Sequence, residues 1–234
     1  MRQALSALFV TGCAGKSANE TRGPLVARQP VGMWRSSAAQ HSQSLEAWYA
    51  HIPGLVVVCP FTPADNYGLL RAAIRCDDPV VYMEHKDLWG MTGEVDETAP
   101  PVALGKARLV QQGTDLTLVA WSGVLREVEA ALALLDSGPS VEVIDLRTIY
   151  PWDHDMVLAS ARRTGRLLVV HEAVATGGFG AEIAATAAEA LFGALKAPVR
   201  RLGAPRIPIP YSPPLEEACK ISPARIAAAV RGMM

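Results

Sequence analysis

The chain has 234 residues, half of them hydrophobic, enough for one large or two ordinary domains with a substantial core. Its 22 basic and 23 acidic residues are well mixed and leave a formal net charge of -1, so neither a nucleic-acid surface nor a polybasic membrane patch is indicated. Cys13, Cys59, Cys76 and Cys219 are scattered with no metal-ligand spacing, which argues against a zinc site or disulfide framework and fits reduced thiols in the cytoplasm; no apolar run approaches the ~18 residues of a membrane span.

At the N-terminus, Arg2, the apolar residues 4–10 and Val10-Thr11-Gly12-Cys13 loosely imitate a lipoprotein signal. With one charge and a minimal apolar segment, the preferred reading is a short helix entering a Gly/Ser/Asn loop. His41 then stands just ahead of a short amphipathic helix that runs to about Ala50, has His51 near its end, and is stopped by Pro53-Gly54. The positive end of that helix would disfavour an imidazolium and keep His41 neutral, ready to take or share a proton, whereas His51 lies where the dipole favours a cation and needs no function to explain it. Pattern leaves two readings of His41: a buried, hydrogen-bonded structural histidine, or a catalytic one.

From there the chain alternates. Residues 55–60 form a short apolar run suited to a strand buried on both faces, and 63–75 a helix with Thr62 as N-cap and Pro63 at its first position, ended by Asp77-Asp78-Pro79. Residues 80–84 form the next strand, and 85–101, with two glycines, two prolines and several acidic residues, a linker. Beyond it, strands at 115–121, 140–145, 166–171 and 199–203 alternate with helices at 124–136, 153–163, 179–195 and 222–231; Leu125, Val128, Leu132 and Leu135 share one helical face. This alternation implies an α/β fold with a mainly parallel sheet covered on both faces, in two domains, 1–95 and 102–234.

Ligands of such sheets gather at the carboxyl ends of strands, where Asp145-Leu146-Arg147-Thr148 and His171-Glu172 fall. The bland readings are an Asp145–Arg147 ion pair fixing a loop and a histidine satisfied by its neighbour. The turn Gly177-Gly178-Phe179-Gly180 lacks the spacing of a phosphate loop and reads as a tight turn with close strand–helix packing.

Several blocks together carry a resemblance. His41-Ser-Gln-Ser-Leu-Glu-Ala-Trp48 with its continuation to Leu55, Thr62-Pro63-Ala64-Asp65, Pro79 to Lys86, Asp145 to Thr148, Val170-His171-Glu172-Ala173, Gly177 to Glu182 and Ile209 to Glu216 resemble the beta subunits of the thiamine-dependent 2-oxo acid dehydrogenases, of pyruvate, branched-chain and acetoin type. The resemblance runs from about Pro24 to the end. It implies a partial pyrimidine-binding domain followed by a transketolase C-terminal-like domain. It further implies an alpha2-beta2 enzyme that decarboxylates a 2-oxo acid oxidatively and passes the acyl group to lipoamide. The implied partners are an alpha subunit, a second beta subunit and a lipoyl acyltransferase component. Thiamine diphosphate would lie between alpha and beta subunits with its magnesium on the alpha side, in keeping with the lack of a Gly-Asp-Gly motif here.

The resemblance assigns His41 as the active-site histidine. It also implies a potassium site with ligands from Ala73 and Asp78, at which Cys76 replaces the usual aspartate with a neutral thiol, a poor partner for a hard cation. The family's cofactor-activating glutamate lies in a segment that this sequence does not match, and Glu20 is the one acidic residue before His41. Gly32-Met33-Trp34-Arg35-Ser36-Ser37-Ala38 stands where the family is glycine-rich. The alternative reading is therefore a non-catalytic interaction or assembly subunit of the same fold; a third is a soluble or lipid-anchored binding module.

Overall fold

The computed structural model describes residues 23–234; the expected signal-like segment and first helix lie outside them. The first half contains β1 (Val26–Val31), α1 (Ala38–His41), α2 (Glu46–Ala50), β2 (Val56–Val58), α3 (Pro63–Ile74) and β3 (Val80–His85), followed by a 3-10 turn at Lys86–Leu88. The second half contains β4 (Arg108–Gln111), β5 (Leu116–Ala120), α4 (Val124–Ala133), β6 (Val141–Asp145), β7 (Thr148–Tyr150), α5 (His154–Thr164), β8 (Leu167–Val174), α6 (Gly180–Ala190), β9 (Arg200–Ala204), α7 (Pro213–Cys219) and α8 (Pro223–Arg231).

Two sheets result, ordered β1-β3-β2-β7 and β4-β6-β5-β8-β9. All pairings are parallel except β7 on β2 and β4 on β6, as the strand–helix alternation predicts. β2 sits inside the first sheet, opposite Val80 and Tyr82 of β3, which explains why its Val-Val-Val run is apolar on both faces. α3 starts where its sequence dictates: the Thr62 hydroxyl accepts the Asp65 N–H at 3.1 Å and Pro63 takes a position whose N–H would be unpaired anyway. α5 is capped in the same way by Asp153, which accepts the Met156 N–H, and α8 by Ser222.

The halves share both backbone and core. β7, from the second half, closes the first sheet as its edge. Val57, Val81 and Met83 pack in one apolar cluster with Val119, Ile144, Val169 and Ile183. The outer face of the second sheet is covered by α4 and α8 through Leu125, Val128, Ile226 and Val230, the first two being part of the expected apolar stripe. Among the described residues, no helix is long and apolar enough to cross a membrane.

Several elements differ from expectation. β1 has no apolar run; its Val-Ala-Arg-Gln-Pro-Val is extended because it pairs with β3 over six residues. β4, β7 and α7 were likewise not anticipated, and the helix expected at 179–195 ends at Ala190. The helix expected after His41 is broken: His41 closes the one-turn α1, Ser42 to Leu45 are non-helical, and α2 begins at Glu46. The dipole argument for a neutral His41 therefore fails, because the residue ends a one-turn helix and does not directly precede one.

Candidate active site

The carboxyl ends of β1, β3, β5 and β8 converge, and a chain of polar contacts crosses between the halves there. His85, last residue of β3, places its Nε2 2.9 Å from Glu172 Oε2. Glu172 Oε1 accepts the Met33 N–H at 2.7 Å and the Ser44 hydroxyl at 3.3 Å. Burial alone would raise the Glu172 carboxyl, but His85 and these donated hydrogen bonds outweigh it and hold the carboxyl below its usual range. Close by, the Trp121 indole N–H donates to Glu46 Oε1 at 3.2 Å; desolvation, reinforced by neighbouring Glu172, pushes the buried Glu46 carboxyl up. A small void with room for about one water is lined by Ser44, Glu46, His85, Ser122 and Glu172.

Two glycines make the seat of His85. Gly32 has φ +94°, and a Cβ there would lie 2.2 Å from His85 Nε2; one at Gly123 would lie 2.7 Å from the ring. Both positions exclude a side chain by contact, and Gly32 also by backbone conformation.

His41 is exposed, on the loop that joins β1 to α2. Its carbonyl accepts the Lys86 ammonium, a residue whose burial lowers its pKa against the opposing pull of Glu172 and Glu216. Further along the loop, Glu216 of α7 accepts the Ser36 N–H at 2.6 Å. Met33 is buried with Ala204, Ile209 and Cys219, so the loop is plugged into the second half. Trp34 packs edge-on to Trp89, with centroids 6.0 Å apart. Arg35, Ser36 and Ala38 all have positive φ, 47°, 58° and 56°, at about 1–2 kcal/mol each for residues carrying a Cβ. Hydrogen bonds to charged groups contribute about 1.5–3 kcal/mol each, so the charged contacts are of the size needed to hold this backbone.

Other expected site residues have structural partners. β8 alternates its side chains, sending His171 and Glu172 to opposite faces, so they do not satisfy each other. His171 is fully buried, bonded through Nδ1 to the Ala173 carbonyl at 3.0 Å and stacked on Trp121 with centroids 5.3 Å apart. Burial lowers its pKa to about 4. A Cβ at Gly178 or Gly180 would lie 2.6 or 2.7 Å from that ring, so the glycine turn serves close packing. Asp145 and Arg147 are not an ion pair: Arg147 reaches Asp65 at 2.5 Å, and Arg108 bridges Asp65 and Asp145 at 3.2 and 3.1 Å. This network again ties the halves together, and burial pushes the Asp145 carboxyl up to about 6 against the Arg108 charge.

For the expected potassium ligands, the Ala73 carbonyl already accepts the Cys76 N–H at 3.2 Å and Asp78 is exposed. Among the described residues, no group of three or more His, Cys, Asp or Glu could hold a metal. Nor do the described residues complete a thiamine diphosphate site: the carboxyls of Glu46, at the start of α2, and Glu172, in β8, are engaged with Trp121 and with His85, Met33 and Ser44 respectively. Glu20 lies outside the described residues.

The transketolase C-terminal domain family matches residues 105–226, and the transketolase pyrimidine binding domain family matches 13–91. The chain is 46% identical to the beta subunit of acetoin:2,6-dichlorophenolindophenol oxidoreductase of Cupriavidus necator, over 90% of this chain and 63% of that protein. It is 42% identical to the beta subunit of the pyruvate dehydrogenase E1 component of Porphyra purpurea, over 90% and 64%. The chain belongs to the 2-oxo acid dehydrogenase beta-subunit family. A further member, the mitochondrial 2-oxoisovalerate dehydrogenase beta subunit of Chaetomium thermophilum, is 48% identical over 85% of the chain and 43% of that protein. The chain thus spans less than two thirds of the length of these relatives. Among solved structures, a split-gene transketolase, described as an inactive beta4 tetramer, superposes with a TM-score of 0.72 at 22% identity, over 97% of this chain and 74% of that one, a likeness of fold.

Sequence reasoning missed His85, Lys86, Glu46 and Glu216 as members of this constellation. His85 and Lys86 fell in the expected linker, and the partners of all four lie far away in sequence. The available signal was that all four fall within or beside the blocks that carry the family resemblance.

Proposed function

We propose that the chain is the beta subunit of a thiamine diphosphate-dependent 2-oxo acid dehydrogenase. In this reading it takes part in the oxidative decarboxylation of a 2-oxo acid, or the corresponding cleavage of acetoin, with acyl transfer to lipoamide. The observation that supports it is an exposed His41, in the family's histidine block, on a loop anchored to both halves of the fold. Thiamine diphosphate, held between the subunits, would supply the nucleophilic chemistry toward the substrate carbonyl. An alpha subunit would carry its magnesium diphosphate end; a second beta subunit and a lipoyl acyltransferase are the other partners.

His41 is the group on this chain suited to hold the substrate carboxylate and to move a proton during acyl transfer. General acid–base help of this kind contributes about 10²–10⁴ in rate. Glu172 holds His85 and the start of the loop, and supplies no open carboxyl to a cofactor. Choice among pyruvate, branched-chain acids and acetoin rests on pocket shape contributed by both subunits.

Reconstitution tests the reading. The chain is combined with an alpha subunit, with and without an N-terminal pyrimidine-domain segment from a full-length relative, and thiamine-dependent decarboxylation of pyruvate and 2-oxoisovalerate and cleavage of acetoin are assayed. Activity is expected with the segment. Absence of activity on all three substrates in a correctly assembled complex contradicts the reading. Full activity without the segment contradicts the view that the activating carboxyl comes from elsewhere.

A further inference from the structure

The loop that carries His41 holds itself by few contacts, among them the Gln43 side-chain amide donated to the Ala39 carbonyl at 2.8 Å. Its base is closed by one long backbone hydrogen bond, from the Gly32 N–H to the Gln43 carbonyl at 3.4 Å, and its apex by the Ser37 N–H and hydroxyl, both donated to the Trp34 carbonyl. Three residues with side chains sit in the left-handed region within four positions. One N–H of this turned backbone is taken by a carboxylate from the other half: Glu216, 3% exposed and 180 positions away, accepts the Ser36 N–H. At the other end, the Lys86 ammonium holds the His41 carbonyl itself. The negative charges of Glu172 and Glu216 both favour the charged form of Lys86, against its burial.

We infer that Glu216 and Lys86 are positioning residues for His41, fixing the loop backbone so that the imidazole meets the substrate in one orientation. Neither touches reacting atoms; both act through main-chain groups of the loop. The inference rests on the reading of His41 as the catalytic histidine. It gives a reason for a buried glutamate in α7, far from His41 in sequence and in the opposite half of the fold.

The test uses the assembled alpha–beta enzyme with Glu216→Ala, Glu216→Gln, Lys86→Met and, as reference, His41→Ala. Two readouts are taken: amide hydrogen exchange of residues 32–45, and kcat and KM for acylation of lipoamide. Glu216→Gln keeps an acceptor oxygen for the Ser36 N–H. In Glu216→Ala, exchange in the loop is expected to accelerate about tenfold or more, the scale of one charged hydrogen bond, with the rest of the chain unchanged. kcat is expected to fall by about the same factor, and KM to stay within about twofold. Glu216→Gln should restore most of both, and Lys86→Met should behave like Glu216→Ala. Unchanged loop exchange in Glu216→Ala, equal loosening of the whole chain, or a Gln variant indistinguishable from Ala overturns the inference. If His41→Ala loses activity while Glu216→Ala keeps it, the positioning role alone is wrong. If His41→Ala keeps activity, the catalytic reading of His41 fails and the positioning role with it.

Discussion

Replacing His171 by Asn isolates the cost of burying an imidazole behind Trp121. In the unfolded chain this histidine takes a proton near pH 6.5; in the fold, desolvation lowers that to about 4, with a backbone hydrogen bond from the ring to Ala173 only partly opposing it. Between these values the unfolded state binds more protons than the folded state, so stability falls as pH drops from about 6.5 toward 4. The separation corresponds to about 3 kcal/mol in full and to about 2.5 kcal/mol between pH 7 and pH 4.5. Asn can still donate to the Ala173 carbonyl but cannot titrate, and loss of the stack on Trp121 costs about 2 kcal/mol at pH 7. Urea unfolding of both proteins at pH 7 and pH 4.5 reads the effect. The variant is expected to be the weaker protein at pH 7 and to match or exceed the wild type at pH 4.5. A stability difference that is the same at both pH values would refute the reasoning.

Asp145 has the opposite sign: its folded carboxyl is pushed up to about 6, so wild-type stability from this group falls as pH rises from about 4 to 6, and the stability of Asp145→Asn relative to wild type should improve by up to about 3 kcal/mol over that range in the same unfolding assay. Gly32→Ala forces a Cβ against His85 and a side chain into φ +94°, and should cost about 3 kcal/mol or more in urea unfolding; a neutral effect would contradict the packing argument. Ser36→Gly relieves one left-handed position while keeping the N–H to Glu216, and should raise stability by up to about 1 kcal/mol, read as an upward shift of the thermal midpoint.

What sequence could reveal follows from which interactions are local. The helix starts at Thr62, Asp153 and Ser222 are written in adjacent residues and form as expected. β2, β5 and β8 are legible because burial on both faces leaves continuous apolar runs. β1 and β7 carry no such signal, since pairing with distant strands makes them extended. The same division governs the site. His41 was identifiable from its block, yet its placement was not, because the loop around it is held by Lys86, Glu172 and Glu216, which lie far away in sequence. His85 resembled linker because its glycine seat and its carboxylate partner arrive from positions 32, 123 and 172. Asp145 and Arg147 looked like a pair because they are near in sequence, whereas their charges are answered by Arg108 and Asp65.

The central claim is that this chain brings His41 to a shared active site, and lipoamide acylation by the assembled alpha–beta enzyme carrying His41→Ala tests it most directly. The account predicts a fall in kcat of about 10²–10⁴-fold with assembly and thermal midpoint unchanged, as befits an exposed side chain. A kcat within about twofold of wild type would contradict it.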